Sequence, residues 1–176
     1  DKHWSRGLGD VYKRQIPFLM DESLKFSLID AVFESASGWT TTGATVISNI
    51  DNLNKPLLLY RQLLQWLGGI GIVVLVLAIL PILGVGGMYL YKAETSSPVK
   101  DNKLSPRITE TAKSLWGVYI VLTIACAVLY KIAGMSYFDA IGHSFSTVSI
   151  GGFSTHDASI GFYSSDLITV SYTHLT

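Results

Sequence analysis

The stretch SASGWTTTGATV, residues 35–46, decides how this chain folds. It sets four threonines and two glycines, with no Lys or Arg, into twelve positions of an otherwise apolar sequence. Just downstream, residues 62–91 carry no charge, and LLQWLGGIGIVVLVLAILPIL (63–83) alone supplies 21 uncharged positions. A helix of about 20 residues crosses the hydrocarbon core of a bilayer, so this run predicts a spanning helix. Pro56 suits its first turn, where no amide hydrogen is needed. Just upstream, residues 23–37 predict a helix of mixed polarity that is too short and too polar to cross. Asp21 or Ser23 would cap it, and Asp30 and Glu34 share one face at i, i+4 spacing. The quoted stretch therefore joins a half-length helix to a spanning one.

Composition agrees with a membrane setting. Of 176 residues 49% are hydrophobic and 15% charged, and the mean hydropathy is +0.39. Soluble domains carry about a quarter charged residues, so this chain reads as an integral membrane protein. Thirteen basic residues balance thirteen acidic ones. Without a basic excess there is no electrostatic footprint for nucleic acid. Cys126 is the single cysteine and cannot close an intrachain disulfide.

A second spanning helix is predicted over SLWGVYIVLTIACAVLYKIAGM (114–135), with Lys131 extending its ammonium to the interface. Between the spans, residues 84–110 form a polar connector, and Lys92, Lys100, Lys103, Arg107 and Lys113 lie in it or just beyond. Residues 26–54 and 132–176 hold no Lys or Arg. Lys and Arg collect on the cytoplasmic side of short loops, which puts the connector inside and both flanking regions outside. Gly84, Gly86 and Gly87 would end the first span at the inner interface. Residues 1–15 read as disordered or foreign to the body, and 171–176 as foreign, and both are set apart from the fold.

Beyond the second span, SYFDAIGHSFSTVSIGGFSTHDAS (136–159) repeats the order of half-length helix and Ser/Thr/Gly segment. At an offset of 109, Ser27, Asp30, Ala31, Ser35, Ser37 and Gly43 meet Ser136, Asp139, Ala140, Ser144, Ser146 and Gly152, six identities over nineteen positions. The shared placement beside a spanning helix marks an internal repeat. Residues 16–91 then hold the latter part of one repeat, 92–113 a cytoplasmic connector, and 114–170 the opening part of the next.

Non-helical backbone at membrane depth survives only where protein buries it or it lines a water-filled cavity. A half-length helix aims the partial negative charge of its C-terminus toward the bilayer centre, which favours a cation. Extended residues after it can turn carbonyl oxygens to an axis and replace a cation's water shell. Glycine permits the positive φ that such turning requires. Carbonyls without carboxylates suit a large monovalent cation, because tight divalent binding would call for Asp or Glu ligands.

Four motifs carry a family resemblance: LIDAVFESASGWTTTGATV, YFDAIGHSFSTVSIGGFSTHDAS, QWLGGIGIVVLVLAILPILGVGG and YKAETSSPVKDNKLSPRITETAKSLW. Over residues 21–166 the chain resembles the Trk/Ktr/HKT superfamily of potassium transporters, in its bacterial TrkH-type branch. The resemblance implies an all-α integral membrane fold of four non-identical helix–pore loop–helix repeats, as in potassium channels. Here the set is incomplete, with only the second and third filter segments. It places the filter glycines at Gly43 and, through the gapless repeat alignment, at Gly152, while Gly151 stays open because a one-residue gap moves the match. Thr41, Thr42, Ala44, Ile150 and Phe153 would flank them, and Ile150 stands where a small polar residue is expected. Main-chain ligands make that tolerable. The resemblance further implies potassium as the transported ion, no cofactor, and a multi-pass protein in the bilayer of the bacterial inner membrane. It also implies a homodimer and a cytoplasmic nucleotide-binding regulatory subunit.

Other features carry less. Gly68, Gly69 and Gly71 suit close helix packing, and Arg61 reads as an interfacial anchor. Asp30 and Glu34 would brace the half-helix, add negative potential at an outer mouth, or form a solvated face. His143 and His156 lie thirteen apart beside Asp157, with no third ligand at helical spacing, which makes a poor metal set. No nucleophile or acid–base pattern accompanies the many Ser and Thr residues, so no enzyme is expected. A secondary transporter with broken helices is the alternative. It would want charged partners within the spans, and the sequence offers none there.

Overall fold

The computed structural model describes residues 14–21, 24, 26–79 and 104–175. Among these, all regular structure is helical: α1 (Ile16–Met20), α2 (Leu28–Trp39), α3 (Lys55–Ile79), α4 (Leu104–Ile132), α5 (Tyr137–Val148) and α6 (Asp166–Leu175). Single 3-10 turns occupy Ile50–Asn52 and Ser159–Tyr163. The chain forms two units, residues 1–69 with 122–176, and residues 70–121. The second unit contains the C-terminal part of α3 and the N-terminal part of α4, where Leu75, Val118 and Val121 are exposed. Residues 80–83 of the first expected span, Gly84, Gly86, Gly87 and connector residues 92–103 lie outside the described residues. Residues 104–113 of the connector are the first turns of α4.

Lys55–Val76 and Glu110–Ile132 are long and apolar enough to cross a membrane. α3 begins at Lys55, with Pro56 in its first turn as expected, and continues through Arg61, which finds its counter-charge inside the protein.

α2 starts later than the sequence suggests. Its cap is Ser27, whose hydroxyl accepts from the Asp30 amide at 3.2 Å while the Asp30 carboxylate accepts from the Ser27 amide at 3.1 Å. Asp21 instead accepts from the Asn54 side chain at 3.0 Å. At its other end α2 runs to Trp39, so the first five residues of the 35–46 stretch are helical. α5 is built alike: Ser136 caps it, its hydroxyl accepting from the Asp139 amide at 3.1 Å. Both helices are 12 residues long.

Each half-length helix sits in its own apolar core. Ala31 of α2 packs with Phe18, Leu57 and Leu64, and Ala140 of α5 with Cys126, Tyr130, Met135 and Ile168. A Cβ built on Gly68 would run into the Trp39 carbonyl, so the end of α2 rests directly on the α3 backbone. Gln15 is buried, and the Arg14 guanidinium lies 3.4 Å over the Trp39 ring.

Candidate functional site

α2 and α5 end in the same way, residue for residue. At α2 the amides of Thr40, Thr41 and Thr42 donate to the carbonyls of Ala36, Gly38 and Ser37, at 2.9, 3.1 and 3.0 Å. At α5 the amides of Ser149, Ile150 and Gly151 donate to Phe145, Thr147 and Ser146, at 3.3, 3.0 and 2.8 Å. Crossed bonds of this kind form a Schellman terminus, which needs a left-handed residue just past the cap. Thr41 and Ile150 fill that position, each at φ 55°. A β-branched residue there is a genuine outlier that the surroundings must impose.

Two residues further on, Gly43 has φ 75° and Gly152 φ 87°. At the gapless offset the sequence pairs Gly43 with Gly152, and a one-residue gap would bring in Gly151 instead. The backbone hydrogen bonds of the two helix ends and the φ angles keep the offset of 109, which makes Gly152 the conformational match. Gly151 serves packing: a Cβ there would run into the side-chain amide of Gln65. The two segments touch, because a Cβ on Gly43 would collide with the Gly151 carbonyl and sit 3.4 Å from the Gly152 Cα. Ser37 Oγ donates to the Ala44 carbonyl, and Ser146 Oγ accepts from the Gly152 amide at 3.1 Å.

Behind the segments lies a buried polar group that sequence reading places wrongly. Arg61, expected as an interfacial anchor, is fully buried, and so is Glu34. Arg61 Nη2 and Nε each lie 2.8 Å from Glu34 Oε1. The Thr45 hydroxyl donates to Glu34 at 2.9 Å and accepts from Arg61 at 3.0 Å, and the Val46 amide donates to Glu34 at 3.2 Å. On its far side Arg61 reaches the Ser154 carbonyl at 3.5 Å and lies 4.3 Å over the Phe153 ring. Gln65, which the sequence reading missed, accepts from the Phe153 amide at 3.1 Å. The signal was a polar i, i+1, i+4 set, Arg61, Gln62 and Gln65, inside an apolar helix.

The histidines do not converge on a metal. His143 Nε2 lies 3.2 Å from Thr155 Oγ1, and His156 Nδ1 lies 2.6 Å from Asp51 Oδ1. Among the described residues no group of three or more His, Cys, Asp or Glu is placed to hold a metal ion. The chemistry on offer at the two segments is main-chain carbonyls at the negative ends of two helices.

Half-length helices that lead into abutting glycine-broken segments, each joined to a long apolar helix, define a membrane protein of the helix–pore loop–helix class. The TrkH family of cation transport proteins matches residues 11–175, and the chain belongs to that family. It is similar to the Trk system potassium uptake protein TrkH of Halomonas elongata, with 63% identity over 153 residues, 87% of this chain and 32% of that protein. The protein of the same name from Vibrio parahaemolyticus is 61% identical over 160 residues, 89% of this chain and 33% of that one. The crystal structure of the potassium transporter TrkH from Vibrio parahaemolyticus superposes with a TM-score of 0.77 at 52% identity, covering 92% of this chain and 31% of that chain. The chain thus spans about a third of the length of these relatives.

Proposed function

We propose that this chain is part of a potassium-uptake protein, and that its two glycine-broken segments are two segments of a backbone-carbonyl selectivity filter. Thr41, Thr42, Gly43 and Ala44 form the first, and Ile150, Gly151, Gly152 and Phe153 the second. One observation carries the reading: two helix ends of identical hydrogen bonding deliver paired left-handed residues and positive-φ glycines to a place where the segments touch. Carbonyls held so can replace the water shell of a large monovalent cation. The remaining filter segments would come from parts of the protein outside this chain. The protein acts as a transporter and not an enzyme, lies in the bacterial inner membrane, and needs no cofactor. It works as a homodimer with a cytoplasmic nucleotide-binding regulatory subunit on the side of the basic connector. The relatives' naming as components of a Trk system supports such a partner.

A secondary transporter with broken helices would need charged groups turned to a substrate. Arg61 and Glu34 are the buried charges beside the segments, and they are turned to each other, which favours the filter. The test is ion uptake by a potassium-transport-deficient bacterium expressing the full-length gene with Gly43→Ser or Gly152→Ser. Both variants are expected to lose preference for potassium over sodium. Unchanged preference in both would overturn the filter.

A further inference from the structure

We propose that Arg61 is a positioning residue for ion selection, clamping two successive filter segments to one another through Glu34; this rests on the filter reading above. The two charges are fully buried, and such a pair is retained at a desolvation cost that only close geometry and further hydrogen bonds offset. Here those further bonds go to the filter's own rear. Glu34 holds Thr45 and Val46, the residues directly after Ala44. The guanidinium spans from that carboxylate to the Ser154 carbonyl and the Phe153 ring, at the end of the second segment. Gln65, one helical turn along α3, fixes the Phe153 amide. A planar fork with five donors can serve several acceptors at once, which a lysine ammonium cannot do over the same span.

The internal repeat supplies an independent argument. At the offset of 109, Glu34 corresponds to His143 and Thr45 to Ser154. His143 Nε2 lies 3.5 Å from Ser154 Oγ, so the same helix position contacts the same loop position in both repeats. The first repeat uses a carboxylate and the second an imidazole, and Arg61 reaches both loops.

The experiment uses the full-length gene in a potassium-transport-deficient bacterium, comparing Glu34→Gln, Arg61→Lys and Arg61→Met with Gly43→Ser as the filter control. The readout is the ratio of potassium to sodium uptake at matched amounts of protein in the membrane. Loss of a charge-assisted clamp is expected to lower that ratio about tenfold in Glu34→Gln and Arg61→Lys, with sodium uptake rising. If Arg61→Met does not reach the membrane, Arg61→Lys and Thr45→Val carry the test, since both keep side-chain size. A wild-type ratio in Glu34→Gln and Arg61→Lys, with Gly43→Ser lowering it, overturns the role of Arg61 and leaves the filter standing. An equal loss of both ions at matched protein also overturns it, because that is what a purely structural pair would give. A wild-type ratio in Gly43→Ser as well, joined by one in Gly152→Ser, removes the filter reading itself.

Discussion

Among the described residues, Thr41 and Ile150 are the β-branched side chains in the left-handed region, where the chain leaves each half-length helix. An L-residue there costs about 1–2 kcal/mol, and Ile150 recovers little by packing because it is 68% exposed. By the backbone cost alone, Ile150→Gly should stabilise the protein by about 0.5–1 kcal/mol, once glycine's own entropy cost is subtracted. Denaturation followed in detergent would read this, and a fall in stability would refute it. The two positive-φ glycines should respond unequally. Gly152→Ala meets no neighbour within this chain and there suffers the backbone cost, about 1–2 kcal/mol. Gly43→Ala adds a collision with the Gly151 carbonyl, so it should be the more damaging in both stability and potassium preference. Equal losses in the two variants would count against the close approach of the segments.

Among the elements, the crossing of α2 on α3 depends on Gly68. A methyl group there would push against the Trp39 carbonyl and move the end of the half-length helix. Gly68→Ala is expected to destabilise by roughly 1–3 kcal/mol, as overpacking does, and to reduce potassium uptake; a neutral result in a denaturation series would remove the contact. The elements themselves were largely legible in the sequence. Length and freedom from charge located both spans, and six identities at one offset located two helices whose hydrogen bonds match in pairs. Two things were misread. Asp21 and Ser23 were weighed as caps, although the Ser-x-x-Asp pattern of Ser27 and Asp30, present again at Ser136 and Asp139, was the stronger signal. Arg61 was read as interfacial because a hydropathy window prices a charge alone. Its partner Glu34 lies 27 residues away in sequence, and only tertiary packing brings the two together.

At the scale of the whole first unit, the loops that follow the two segments are stitched together outside them. Asp51 accepts from or pairs with His156 at 2.6 Å, and Asp157 accepts from the Ile50 amide at 2.9 Å. The His156 ring is stacked on Phe162 at 3.7 Å, which fixes its plane. The hydrogen bond from His156 holds the Asp51 carboxyl below the usual carboxylate range. A depressed folded pKa means that the contact stabilises above the unfolded value of about 3.9 and is lost as pH falls through the folded one. The stitch should thus be indifferent to Asp51 between about pH 7 and 5 and should open in stronger acid. The amides of Asn52 and Leu53, which close the 3-10 turn against Asn49 and Ile50, are its reporters. In the full-length protein their hydrogen exchange, corrected for intrinsic rates, should rise below about pH 4. In Asp51→Asn the same amides should exchange faster already at pH 7 and show a smaller acid step. A variant that matches the wild type at pH 7, or a wild type protected equally at every pH, would mean that the two loops are held by packing and not by this pair.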